Sequence, residues 1–178
     1  MEYGGAKAKA ARQMGRHSGR RASLPSNEVV EDEVRDYLAL FRAESQPAEL
    51  AALRHLALQW MQRLEPFRPH LTGAVWRGTA TGLSAIHLDL FCDDTKSAEI
   101  AMINLGIHYE VSSLPGGRNG GVSVLSLAAR TPALPDTVTL HLTLCDHDDL
   151  RGALRADSRG RTWRGNTSAL QALLKDSQ

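Results

Sequence analysis

Cysteine is nearly absent from this 178-residue chain. Cys92 and Cys145 are the only two, too few for a disulfide framework, and they fit a reducing compartment. Aromatic residues make up 5%, so aliphatic side chains must fill most of the core. No apolar run approaches the roughly 20 residues that span a bilayer. The basic N-terminus has no apolar segment behind it, so it is not expected to be a secretory signal. These absences together predict a cytoplasmic protein with no membrane partner. Hydrophobic residues at 42% and charged residues at 23% are ordinary for a globular chain of one-domain length.

A formal net charge of +1 conceals an asymmetry. Residues 1–21 hold six cations (Lys7, Lys9, Arg12, Arg16, Arg20, Arg21) against Glu2, leaving 15 basic and 19 acidic residues beyond them. A second basic cluster runs Arg151, Arg155, Arg159, Arg161, Arg164, opposed by Asp157. Such clusters meet phosphates or acidic partners; as solvated surface they need no partner at all. The composition predicts an arm over 1–25, a loose helix followed by disorder, and one domain over 26–178. The arm offers a protein or nucleic-acid partner a basic contact, and its few apolar residues make it dispensable for folding.

Periodicity sets the element order. Val30, Val34, Tyr37, Leu38 and Phe41 recur at helical spacing over 28–44, with Ser26 or Asn27 as cap. Pro47 suits the first turn of a second helix to Leu64, burying Leu50, Leu53, Leu56, Ala57, Trp60 and Leu64. PFRPH (66–70) stops it. A strand near 73–76, a glycine turn and a strand near 85–92 follow. Thr95 is read as the cap of a helix that Gly106 ends. IHYEVSS, GVSVLSLAA and DTVTLHLTLC read as three strands, the first two joined through PGGRNGG (115–121). Asp146 caps a short helix through Leu154, and Asn166 a last one through Leu174. The fold class is α+β, a mixed or antiparallel sheet covered by helices.

The stretch GAVWRGTATGLSAIHLDLF, residues 73–91, resembles the signature of the polymerase-beta-like nucleotidyltransferases: Gly-Ser, about ten residues, then Asp-hydrophobic-Asp on a strand. Gly73-Ala74 stands for Gly-Ser, Val75–Ser84 is the spacer, and Ala85-Ile86-His87 falls where the paired carboxylates belong. The resemblance covers about residues 50–145. It implies a nucleotidyltransferase-like sheet and a nucleotide or phosphate ligand at Gly73, Arg77, Gly78, Thr79 and Ser84. There Arg77 would fork onto phosphate and backbone N–H groups would nest it. Over its whole length the chain also resembles a family of short bacterial proteins that carry the label UDP-N-acetylmuramate–alanine ligase, through YGGAKAKAARQMG, QPAELAALRHLALQWM, FRPHLTGAVWRGTAT, LFCDDTKSAEIA and DDLRGALR. The label implies ATP-dependent ligation, yet no Gly-rich G-x-x-x-x-G-K-[ST] loop occurs to hold the phosphates.

Two-metal transfer needs carboxylates, because Mg²⁺ is a hard ion that selects oxygen ligands. Residues i and i+2 share a strand face, so Ala85, His87 and Asp89 stand in line and only Asp89 is acidic. The third carboxylate of the pattern would come from TVTLHLTL (137–144), whose same-face residues are Thr139 and His141. His87, Asp89 and His141 form the candidate catalytic and metal set, suited to a transition metal rather than Mg²⁺. The alternative is a set of half-exposed polar side chains on a sheet face. No cofactor is expected beyond a divalent metal at these three residues. The leading expectation is a degenerate nucleotidyltransferase-fold protein acting as a binding or regulatory module. An active transferase with a rearranged site, or an interaction module using the basic arm, are its competitors. In the degenerate case Asp89 gains no offsetting charge, and Arg77 is dispensable for folding.

Elsewhere, CDHDDLRG (145–152) reads as a helix cap with dipole-favoured acids. Cys92 and Cys145 read as packed thiols, Trp60 and Trp76 as core, and Trp163 as exposed.

Overall fold

A computed structural model gives the fold for residues 7, 9, 10, 12, 13, 25–114, 121–150, 156, 157 and 160–176, the described residues. Contacts divide the chain into two compact units, residues 1–43 and 44–178. The division falls after Ala43 rather than at the basic arm, so the first amphipathic helix belongs to the smaller unit. That helix, α1 (Asn27–Phe41), is capped by Ser26, whose Oγ accepts from the Val29 amide. An Arg35–Glu31 pair one turn apart braces it. Most of the arm, and most of the second basic cluster, lies outside the described residues.

The larger unit opens with α2 (Gln46–Arg63), Pro47 in its first turn. Leu53, Leu56, Ala57, Trp60 and Met61 are buried, each large aliphatic contributing about 1.5–3 kcal/mol. A single 3₁₀ turn (Glu65–Phe67) and Arg68, in the left-handed region at φ 47°, reverse the chain into β1 (His70–Thr72). The stretch near 73–76 was expected as a strand and is instead part of a short helix, α3 (Gly73–Arg77). Glycines at both ends make the difference. Gly73 (φ 69°) turns the chain out of β1, and Gly78 (φ 83°) ends the helix in the left-handed conformation. Arg54, buried in α2, gives Nε to the Val75 carbonyl (3.1 Å) and an Nη to that of Trp76 (3.3 Å), a cation placed on the helix's carbonyl end.

β2 (Ile86–Cys92) leads to α4 (Thr95–Asn104). Its cap is Asp94, one residue before the Thr95 expected, with the carboxylate accepting from the Lys96 amide. The helix ends in a Schellman pattern: Gly106 N–H to Ile103 O, Ile107 N–H to Met102 O. β3 (Glu110–Leu114), β4 (Val122–Ala129) and β5 (Val138–Asp146) follow. A 3₁₀ turn (His147–Leu150) begins under Asp146, whose carboxylate accepts from the Asp148 amide; its expected continuation to Leu154 lies outside the described residues. Sequence periodicity passed over β6 (Arg164–Asn166), which leads through the Asn166 cap into α5 (Thr167–Lys175).

The six strands form one sheet in the order β3-β4-β5-β2-β1-β6. β2 and β5 are parallel and every other pair antiparallel, so the α+β mixed sheet is the observed architecture. Alternation gives the sheet two different faces. Leu71, Leu88, Leu90, Leu125, Leu140 and Leu142 point to one side, fully buried with the helix residues. The opposite side carries His70, Thr72, His87, Asp89, Ser126 and His141.

Candidate functional site

Strand register assembles the polar face. His87 of β2 stands beside His141 of β5, and Asp89 beside Thr143. Across the other edge of β2, His70 of β1 opposes Asp89 and Thr72 opposes His87. Thr72 in turn opposes Arg164 of β6. The three sequence-derived site residues thus share one face, as the spacing requires.

Their side chains are committed to one another and to neighbours. The His87 and His141 rings stack, centroids 4.9 Å apart and planes at 29°. The Ser126 hydroxyl lies 2.9 Å from Nδ1 of His141. Asp89 accepts from Nη1 of Arg164 at 2.8 Å, so the expectation that it gains no offsetting charge is corrected. Arg164 arrives on the unforeseen β6, which is why no local spacing disclosed it. Burial pushes the Asp89 carboxyl above its ordinary range, outweighing the opposite pull of Arg164, His70 and His87. Burial, joined by the charge of His87, holds His141 below the usual imidazole range. His70, also lowered by burial, donates from Nδ1 to the Arg68 carbonyl (2.9 Å) and meets Phe91 edge-on. Among the described residues no three His, Cys, Asp or Glu side chains gather in a metal-holding group.

The glycine-turn set lies apart from this face, and its polar groups have internal partners. The Gly78 and Thr79 amides both donate to the Ala74 carbonyl (2.9 Å each). Ser84 Oγ accepts from the Thr81 amide at 3.0 Å. Gln46 of α2 donates to the Gly78 and Ala80 carbonyls. The Gly82 amide donates to Glu49 Oε2 at 2.7 Å, so an internal carboxylate takes a hydrogen bond that a phosphate would otherwise accept. Gly73 turns the backbone, as described above.

Arg77 departs furthest from expectation. It is 7% exposed and pairs with Asp157 at 3.1 Å, a carboxylate whose side chain is 1% exposed. Its Nη1 donates to the Thr162 carbonyl (3.1 Å), and its guanidinium sits 4.3 Å from the Trp163 ring centroid. The arginine proposed for an incoming phosphate is an interior strut between α3 and the segment leading to β6. Trp163, expected to be exposed, lies half-buried beneath it. Arg161 joins Asp157 at 3.4 Å. Both described arginines of the second basic cluster, Arg161 and Arg164, therefore face carboxylates of their own chain. Trp76 packs against Gly165, where an added Cβ would fall 2.1 Å from the ring, and its Nε1 donates to the Thr162 carbonyl.

The cysteines are free thiols. Burial above all, with Asp89 nearby, pushes Cys145 up to about 12, and burial raises Cys92. Neither supplies a thiolate near neutral pH.

Two surface cavities open beside the polar face, lined for the most part by residues that spacing did not single out. One, of about 370 Å³, is lined by His108, Glu110, Ser126 and Thr139 among others. A second, of about 440 Å³, includes Arg68, His70 and the first residues of α5.

No protein-family model matches the chain, and no curated protein matches its sequence. Among solved structures it is similar to Cid1 in complex with the UTP analog UMPNPP, at 11% identity and a TM-score of 0.38. The match covers 67% of this chain and 37% of that one, so the chain spans little more than a third of its length. Among the described residues, no helix is long and apolar enough to cross a membrane.

Proposed function

We propose that this chain is a nucleotidyltransferase-fold protein that no longer transfers nucleotides and acts as a binding or regulatory module. The fold part rests on the motif register of residues 73–91. A glycine ends the first strand, a short helical turn follows, and the second strand begins where the paired carboxylates belong. The functional part rests on one observation, the 2.8 Å pair between Asp89 and Arg164. Two metal ions in a transfer site are held and brought together by shared carboxylates. Asp89 is the sole carboxylate on the polar face of β1, β2 and β5 among the described residues, and it is already neutralised by a guanidinium. His87 and His141 stack instead of converging on a point between them. Should a divalent metal displace Arg164, His87, Asp89 and His141 are the residues to hold it; it would polarise a phosphoryl oxygen.

Incubation with labelled ATP, CTP, GTP or UTP, Mg²⁺ and candidate acceptors is expected to yield no labelled product. Metal-dependent product that Asp89→Asn abolishes would contradict the reading and favour the rearranged active site.

A further inference from the structure

The polar face continues past His141 onto β4 and β3. Glu110 opposes Ser126, and Ala128 opposes Thr139, so these four lie on the same side as His141. They border the cavity of about 370 Å³, with His108 and Tyr109 at the approach to β3. Ser126 links this cavity to the histidine pair through its 2.9 Å contact with His141.

The charge of this cavity is one-sided. Among the described residues, the Glu110 carboxylate has neither an ion pair nor a hydrogen bond. The Ser126 and Thr139 hydroxyls and the His108 imidazole around it can each accept a hydrogen bond. No lysine or arginine lines the cavity. Arg130, two residues beyond Ala128, is engaged with Thr137, its Nε 3.1 Å from that hydroxyl. A phosphate would meet an unscreened carboxylate here and no cation. A compact cation with several N–H donors would meet acceptors on several sides.

We propose that this cavity binds a small primary ammonium compound, with Glu110 as counter-ion and the Ser126 and Thr139 hydroxyls accepting from the ammonium group. The proposal deepens the binding reading given above by naming a ligand class, and it is tested separately from the absence of transfer. The ammonium belongs either to a simple amine or to an amino-acid zwitterion.

The test is a titration of the ¹⁵N-labelled full chain with 1,4-diaminobutane, glycine and inorganic phosphate, read by amide chemical shifts. Saturable shifts at Glu110, Ser126 and Thr139 are expected with an ammonium compound, and none there with phosphate. Glu110→Gln is expected to weaken binding about tenfold, the scale of a hydrogen-bonded charge. Glu110 is exposed, so the variant's remaining spectrum should overlay that of the parent. Diaminobutane binding alone assigns a simple amine; glycine binding as tightly assigns an amino acid. The proposal is overturned by phosphate shifting these amides, by neither ammonium compound giving saturable shifts, or by Glu110→Gln binding like the parent. The last two outcomes leave the loss of transfer intact, whereas detected transfer would overturn that reading and not this one.

Discussion

Replacing Arg77 with alanine should weaken the fold itself, with no ligand present. The substitution takes from Asp157, 1% exposed, the guanidinium at 3.1 Å and leaves Arg161 at 3.4 Å beside it. The Thr162 carbonyl keeps the Trp76 donor but loses the guanidinium, and Trp163 loses the cation stacked upon it. Breaking one side of a buried pair costs about 3–5 kcal/mol. Arg161 offsets part of that, which places the loss at about 3 kcal/mol. For a chain of this size each kcal/mol moves the melting point by roughly 2–4 °C, so a fall of roughly 6–12 °C is expected. Thermal and urea unfolding of the parent, Arg77→Ala, Asp157→Asn and the double variant give the cycle. The double variant should lose less than the two single losses together, because the stranded carboxylate is gone. An Arg77→Ala protein that melts with the parent would refute the interior role and return Arg77 to the surface turn as an anion ligand.

Gly165→Ala should cost about 2–3 kcal/mol by overpacking and shift the tryptophan emission, since the new methyl lands on the Trp76 ring; Trp76→Leu in the same chain should restore part of the loss. Asp89→Asn should be neutral or stabilising near pH 7, whereas Arg164→Ala should cost about 2 kcal/mol by leaving a carboxylate without its cation. The pH dependence fixes the sign for Asp89. Its folded pKa lies above the ordinary 3.8, so the native state holds the proton more tightly than the unfolded chain. Its stabilising contribution is complete below that value and is lost as pH rises through the folded pKa. The difference between Asp89→Asn and the parent should therefore shrink as acid protonates Asp89; a difference that widens in acid would reverse the assignment. Glu49→Ala should destabilise by about 1.5 kcal/mol through the charged hydrogen bond to the Gly82 amide, and inorganic phosphate should not restore the loss. Recovery by phosphate in a melting assay would mark the turn as an anion seat.

The parts of the fold carried by local chemistry were legible in the sequence. Ser26 and Asn166 as caps, Pro47 in a first turn, Gly106 past a helix end and the alternation of β4 and β5 each act within a few residues. The two-residue strand period put His87 and Asp89 on one face in the sequence; that His141 joins them is the work of the parallel pairing of β2 with β5. Long-range partners could not be read. Arg164 reaches Asp89 from a three-residue strand too short to show a period, and Asp157 meets Arg77 from eighty positions away. Arg77 looked like a surface cation because RGT reads as a turn; the helix over 73–77 turned it inward. Glycine was the misleading signal there, since Gly73 and Gly78 bound a helix and not a phosphate loop.

In the proposed function Asp89 is committed to Arg164, 2.8 Å away, and withheld from metal. Titration of the ¹⁵N-labelled chain with Mn²⁺, read by paramagnetic broadening, tests it most directly. The amides of His87, Asp89 and His141 are expected to broaden no more than those of exposed acidic positions such as Asp93. Selective, saturable broadening centred on these three residues, lost in Asp89→Asn, would contradict the account.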